Sequence, residues 1–78
     1  MKVRVLVSLK PGILDPQGKA VEHGLHGFGF AVEHVRIGRM IDLEVPASGI
    51  EEAKAQAQAM CDKLLVNPVM EKAIIEVL

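Results

Sequence analysis

The chain has 78 residues, of which 50% are hydrophobic and 24% are charged, with a net charge of −1. This length predicts a single domain, residues 1–78, and excludes a multidomain enzyme. A domain of this size hides only about 60% of the surface that its unfolded chain exposes, so we expect it to self-associate.

Composition also excludes several kinds of partner. The chain has no Trp and no Tyr, and its nine Lys and Arg are balanced by ten Asp and Glu, so it lacks the basic patch and stacking aromatics typical of nucleic-acid binders. No apolar run approaches the length of a membrane span. One cysteine cannot form an intramolecular disulfide, which favours a cytoplasmic location. We therefore expect neither nucleic acid nor membrane as a partner.

The first element is predicted to be a strand. Val3, Val5, Val7 and Leu9 alternate with mostly polar residues, which is the period of a strand with one face on a core. Residues 10–12, Lys-Pro-Gly, then interrupt the pattern.

A helix is expected to follow, with Asp15 as its N-cap and Pro16 at its first position. Gly18 and Gly24 lie inside it, and each costs about 1 kcal/mol relative to Ala in a helix interior. This helix therefore needs to dock against other residues to persist.

Two β-rich runs, residues 30–37 and 40–45, predict a hairpin that turns at 36–39, Arg-Ile-Gly-Arg. Pro46 ends the second run.

A second helix is predicted from a capping box in which Ser48 and Glu51 satisfy each other's backbone N–H groups. Its apolar stripe runs to about Val66, and Asn67-Pro68 stops it. Residues 73–78 then form a terminal strand.

This βαββαβ order predicts an α+β two-layer sandwich, ferredoxin-like or related, with an antiparallel sheet and both helices on one face. The strand alternation leaves the opposite face unusually apolar, which indicates that sheet faces pair in an oligomer. A few tolerated exposed apolar residues, or a register error that swaps the faces of one strand, are the other interpretations. The residues expected on that outer face are Leu6, Phe30, Val32, Met40, Ile74 and Leu78.

Groups suited to catalysis are sparse in the sequence. Cys61 falls in the apolar stripe of the second helix, which is typical of a buried, inert thiol. His23 and His26 are three residues apart, but without an evident third ligand they are better interpreted as helix-end residues than as a metal pair. We predict no catalytic residue, no metal site and no bound cofactor in this chain.

Three segments together carry a family resemblance: Leu-Asp-Pro-Gln-Gly at 14–18, Arg-Ile-Gly-Arg at 36–39 and Leu-Leu-Val-Asn-Pro at 64–68. In this order and spacing the chain resembles the PurS family, the small subunit of phosphoribosylformylglycinamidine synthase. The resemblance spans almost the whole chain. Arg39 departs mildly from the pattern, because many members are expected to have Lys there.

The resemblance implies a non-catalytic subunit of an ATP-dependent, glutamine-using ligase in de novo purine biosynthesis. The implied role is to bridge the large synthetase subunit and the glutaminase subunit and to support ammonia transfer. It implies a homo-oligomer, dimer or tetramer, and ATP and magnesium that belong to the large subunit.

Residues in the shared segments that lie near the predicted strand and helix ends are candidates for recognising partners. Cap and turn roles remain an equally good interpretation for Asp15, Pro16 and Gly38. The candidates are Asp15, Gln17, Gly18, Arg36, Gly38 and Arg39.

Two other classes of protein share this predicted order of elements. An ACT-like regulatory domain would bind a small molecule, such as an amino acid, between two copies. An acylphosphatase-type enzyme would need an Arg-containing phosphate loop and a water-positioning Asn, but Asn67 is the only Asn and is assigned to a helix end. Fold alone does not separate these functions.

Overall fold

β1, Lys2–Leu9, is the central strand of the sheet in a computed structural model that describes residues 1–78. β2, Arg39–Glu44, and β3, Glu71–Val77, pair with it on either side, and both pairings are antiparallel. α1 spans Pro16–Gly27, and α2 spans Ile50–Met60 and continues as a π-helical segment, Cys61–Leu65. The predicted class, α+β with an antiparallel sheet and two helices, is confirmed.

One face of β1 and one face of α2 form the hydrophobic core. The alanines of α2 are small, which lets the helix backbone approach the valines of β1 closely. Only nine of the 78 residues are buried. The buried apolar residues are Val3, Val5, Val7, Val45, Ala53, Ala57 and Cys61.

The predicted alternation of strand faces holds in the sheet itself. Ile41, Leu43, Ile75 and Val77 pack partly buried against the core from the flanking strands. Met40 on β2 lies on the opposite, outer face and is exposed. The sheet therefore has one covered face and one open face.

The predicted strand at 30–37, and with it the hairpin, is wrong. Residues 31–38 make no backbone-to-backbone hydrogen bond. His34 has a φ of 57°, a left-handed conformation that interrupts any regular strand. Phe30 and Val32 therefore lie outside the sheet instead of on its outer face, and the sheet has three strands.

Side chains of α1 and of its N-cap residue hold this segment in place of a strand partner. The Asp15 carboxylate accepts from the Ile37 N–H at 2.7 Å, and the Glu22 carboxylate accepts from the Val35 N–H at 3.3 Å. Nε2 of His26 donates to the Val32 carbonyl at 2.7 Å. We call this set of side chains, Asp15, Glu22 and His26, the α1 tether.

α1 extends away from the core. Gly18 is its only buried residue, and Val21 in its apolar stripe is 43% exposed. α2, in contrast, packs against β1 and β3. The molecule is correspondingly elongated, 50 × 25 × 14 Å. The docking that α1 was expected to need is limited, within one chain, to polar contacts with residues 32–37 and to the close approach at Gly18.

α2 begins differently from the prediction. Gly49 is its N-cap, and the Ser48 backbone N–H and hydroxyl both donate to Glu52 Oε2, at 3.0 and 2.8 Å. The expected Ser48–Glu51 capping box is therefore wrong by one residue. The predicted stop at 67–68 is confirmed, because helical structure ends at Leu65 and the Asn67 side chain accepts from the Val69 N–H at 3.0 Å.

The left-handed backbone of His34 yields a stability prediction. Glycine adopts this conformation without steric cost, so His34→Gly should raise the free energy of unfolding by about 0.5–1 kcal/mol. Chemical denaturation at one fixed protein concentration measures the change. His34→Ala is the control, since it removes the imidazole but keeps the strained Cβ. Equal stabilisation by both variants would contradict the assignment to backbone strain.

Candidate interaction site

Asp15 fixes the start of α1 and joins it to the segment before β2. It is 4% exposed, and its Oδ1 accepts from the Gly18 N–H at 2.8 Å while its Oδ2 accepts from the Ile37 N–H. Hydrogen bonds from the Ile37 and Gly18 N–H groups lower the pKa of Asp15. The carboxyl group therefore stays ionised at neutral pH and serves as a backbone acceptor.

Gly18 lies where α1 crosses this segment. A Cβ at position 18 would collide with the carbonyl oxygen of Val35 and press on the Asp15 carboxylate. The absence of a side chain at Gly18 is thus what permits the close contact between α1 and residues 35–37.

Arg36 orders the loop between β1 and α1. Its Nη1 donates to the Ile13 carbonyl at 2.8 Å, and its Nη2 donates to the Lys10 carbonyl at 3.2 Å. Arg36 therefore shapes the surface beside α1 through two backbone contacts.

A crevice of about 300 Å³ opens where the end of β1 meets the start of α1 and the start of β2. Its lining brings together Asp15, Gln17, Gly38 and Arg39, four of the residues selected from sequence. The Gln17 side chain is exposed and forms no hydrogen bond within the chain. We call this feature the α1 crevice. Its remaining lining residues are Val7, Ser8, Leu9, Pro16, Ile37 and Glu71.

Arg39 occupies one wall of the α1 crevice and is already paired. Its Nη1 and Nη2 donate to the two carboxylate oxygens of Glu71 at 2.7 and 3.1 Å, and Nη2 also donates to the Leu65 carbonyl. Hydrogen bonds from the Asn67 N–H and from Arg39 lower the pKa of Glu71. The crevice therefore offers a neutralised ion pair and a free amide, which suit hydrogen-bonded recognition of a partner.

The open face of the sheet carries a short apolar row. Leu6 lies directly opposite Met40 on one side and Ile74 on the other, and Met40 and Ile74 are 56% and 59% exposed. We call these three residues the outer-face cluster. Leu78 is also exposed beyond the end of β3, whereas Phe30 and Val32 lie beside α1 and do not contribute.

A charged row borders the outer-face cluster. Arg4 binds Asp42 through two hydrogen bonds of 2.9 and 3.1 Å across the β1–β2 pairing. The side-chain hydrogen bond to Arg4 lowers the pKa of Asp42. The outer face thus combines an apolar strip with an ordered ion pair, as interfaces with an apolar centre and a polar rim do.

The single cysteine of the chain belongs to the core. Cys61, the first residue of the π-helical segment that continues α2, is buried in the core, and burial raises the pKa of its thiol. No group of three His, Cys, Asp or Glu side chains is placed to hold a metal ion. Neither helix is both long and apolar enough to cross a membrane. The chain is thus a small α+β domain with two candidate contact surfaces, the α1 crevice and the outer-face cluster.

Comparison of the sequence with known proteins identifies its family. Residues 2–78 match the PurS family, described as phosphoribosylformylglycinamidine (FGAM) synthase. The PurS subunit of Bacillus subtilis is 45% identical over 71 residues, which cover 90% of this chain and 83% of the relative. That of Synechocystis is 43% identical over 75 residues, covering 95% and 75%. The chain belongs to the PurS family of phosphoribosylformylglycinamidine synthase subunits.

Solved structures agree with this assignment. The PurS subunit of Thermotoga maritima superimposes with a TM-score of 0.90 at 35% identity, covering 99% of this chain and 90% of that chain. The structure of PurLQS from the same organism also gives a TM-score of 0.90, with 95% of that chain covered. B. subtilis PurS gives 0.83 at 43% identity, covering 96% and 94%. The fold of this chain is therefore shared with these solved PurS structures.

Replacing two glycines of α1 by alanine should change the stability of the chain in opposite directions. Gly18→Ala should lower the free energy of unfolding by about 1–3 kcal/mol, because its Cβ would push Val35 away from the helix. Gly24→Ala is the matched control, since nothing lies within 4 Å of its Cβ, and it should raise stability by about 0.5–1 kcal/mol. Denaturant titration of both variants at equal concentration tests the contact. Stabilisation by Gly18→Ala would contradict it.

Proposed function

We propose that this chain is the non-catalytic subunit that bridges the large ATP-dependent synthetase subunit and the glutaminase subunit of phosphoribosylformylglycinamidine synthase in purine biosynthesis. In this role it supports the transfer of ammonia from glutaminase to synthetase. The observation that carries the proposal is the small covered core, nine buried residues of 78, in a member of the PurS family. Most residues of such a chain remain accessible for contact with other subunits.

The name PurLQS, given to the T. maritima structure, describes an assembly that contains PurS. If this chain assembles in the same way, it has two partners, the large subunit and the glutaminase. The exposed residues of α1 and the open sheet face provide separate surfaces for them, because they lie on different parts of an elongated molecule.

The α1 crevice is the proposed contact for one of these subunits. Gln17 would form the direct hydrogen bond, since its amide is exposed and free. Asp15, Gly18 and Gly38 would act by shaping the crevice, and Arg36 by ordering the neighbouring loop. Arg39, held by Glu71, would present a fixed guanidinium edge at the crevice wall.

ATP and magnesium are proposed to bind the large subunit. The carboxylates in the α1 crevice support this division, because those of Asp15 and Glu71 are already occupied by backbone N–H groups and by Arg39. A cytoplasmic location is proposed from the same role, since it places the subunit with the metabolic complex that it serves.

Self-association into a dimer or tetramer is the third part of the proposal. The outer-face cluster supports self-association, because covering three adjacent apolar side chains with a similar surface removes them from water, which is favourable. The ACT-like alternative would also use such an interface, but membership of the PurS family favours the synthase subunit.

Reconstitution tests the bridging role. With purified large subunit and glutaminase, adding this chain should restore glutamine-dependent product formation, while omitting it should leave ammonia-dependent product formation largely intact. The reason is that free ammonia reaches the synthetase without passing between subunits. An equal rate with glutamine in the presence and absence of this chain would contradict the proposal.

The same assay locates the partner surface. Gln17→Ala should weaken assembly by roughly 3- to 10-fold, the value of one hydrogen bond, without changing the free energy of unfolding. Gln58→Ala is the matched control on the outside of α2, where the amide bonds only to Asp62 within the same helical region. Equal co-elution of both variants with the partner subunits would exclude Gln17 from the interface.

A further inference from the structure

A second cavity, of about 310 Å³, opens where the loop between β1 and α1 meets α1 and the segment before β2. Asp15 is the only residue that it shares with the α1 crevice. Its volume is at the small end of the range for sites that hold small ligands. We call it the loop cavity. Its ionisable lining residues are Asp15, Lys19, Glu22, His34 and Arg36.

Both carboxylates in the loop cavity are already bound within the chain. The two oxygens of Asp15 accept from backbone N–H groups, and this residue is 4% exposed. Oε1 of Glu22 accepts from the Val35 N–H at 3.3 Å, and the Glu22 side chain is 18% exposed. An N–H dipole directed at a carboxylate offsets part of its negative potential. The carboxylates therefore present little accessible negative charge to a ligand.

The side chains of Lys19 and His34, in contrast, are open to solvent. The Lys19 side chain is 69% exposed, and its Nζ lies 3.9 Å from Oε2 of Glu22. An exposed ion pair of this kind contributes little to stability, so Lys19 can turn to another anion at small cost. The His34 side chain is 92% exposed and adds at least one imidazole N–H.

Arg36 is held in one position beside the loop. Two of the five N–H groups of its guanidinium bind the carbonyls of Ile13 and Lys10, so three remain without a partner in this chain. The Lys10 carbonyl also accepts from the Ile13 N–H at 3.2 Å, in a turn that Gly12 permits with a φ of 87°. Because the guanidinium is already ordered, an anion that binds it causes little further loss of side-chain entropy.

The loop also supplies backbone donors to the lining. The N–H groups of Gly12 and Leu14 form no hydrogen bond within the chain. With Lys19 on α1 and Arg36 before β2, donors from three separate segments line one cavity. A phosphate group has oxygens in tetrahedral directions and suits donors on several sides, whereas a carboxylate has only two oxygens in one plane. The arrangement therefore favours a phosphate over a carboxylate.

We propose that the loop cavity binds a phosphate group, either as the free ion or as the monoester of a small molecule, through Arg36, Lys19 and the backbone N–H groups of the loop. A bound phosphate joins the loop, α1 and the segment before β2, and so reinforces the polar contacts that hold α1. The site belongs to this chain alone, so its test does not depend on the bridging role.

Titration with inorganic phosphate tests the proposal on the isolated full-length chain. At constant ionic strength, the backbone amide NMR signals of Gly12, Leu14 and Lys19 should shift along a saturable curve. Acetate should shift them much less, because it offers fewer oxygens to the donors. Signals that do not saturate with phosphate, or an equal saturable response to acetate, would overturn the assignment.

Methyl phosphate distinguishes the two sources of the phosphate group. A saturable response to both compounds identifies the phosphate group in either form, since the open cavity leaves room for the ester. A response to inorganic phosphate alone identifies the free ion as the ligand.

Substitutions locate the binding groups. Lys19→Gln should weaken phosphate binding by roughly 2- to 5-fold, the value of an exposed ion pair. Arg36→Lys keeps the charge but loses the planar fork, and it should also weaken binding. Lys54→Gln on α2 is the matched control for an exposed lysine outside the cavity and should leave the affinity unchanged.

Thermal unfolding of each variant without phosphate shows whether the fold is retained. This control matters most for Arg36→Lys, because Arg36 also orders the loop. Lys19 forms no hydrogen bond through its side chain, so Lys19→Gln separates binding from folding. An affinity in Lys19→Gln equal to that of the unchanged chain, or an equal loss in Lys54→Gln, would overturn the proposal.

Discussion

The contact between one face of β1 and the small side chains of α2 is the interaction on which the rest of this structure depends. Val3, Val5 and Val7 are buried there against Ala53 and Ala57. A chain of 78 residues has material for one such layer, so the other sheet face and most of α1 stay uncovered. In the proposed function this uncovered surface is the part of the molecule that meets partners, and covering it would add to the stabilisation that a small core supplies.

Because α1 lacks the core as a support, polar contacts define its position. The α1 tether binds the backbone of residues 32–37, and Gly18 lets the helix touch Val35. Of these contacts, the one between Asp15 and Ile37 also lines the α1 crevice, whose walls include the free amide of Gln17 and the paired Arg39. Asp15, Gly18 and Arg36 of the family segments thus have structural contacts within the chain.

Local patterns in the sequence predicted the strands, the Asp15 cap, the end of the second helix and the burial of Cys61, since each depends on neighbours close in the chain. The strand at 30–37 was predicted wrongly because its β-rich composition does not reveal that His34 turns left-handed and that α1 side chains replace a sheet partner. Phe30 and Val32, which were predicted on the outer face of the sheet, lie outside the sheet for the same reason. The α1 crevice brings together Asp15, Gln17, Gly38 and Arg39 through contacts between residues that are distant in the chain. The periodicity of the sequence does not predict such contacts.

Thermal unfolding over about a thousandfold dilution series tests most directly whether the fold depends on surfaces covered by other chains. If folding is coupled to association, the midpoint temperature falls steadily as the protein is diluted, because the bound partner stabilises only the folded form. A midpoint that stays constant across the series, together with a monomeric mass at every concentration, would contradict the account.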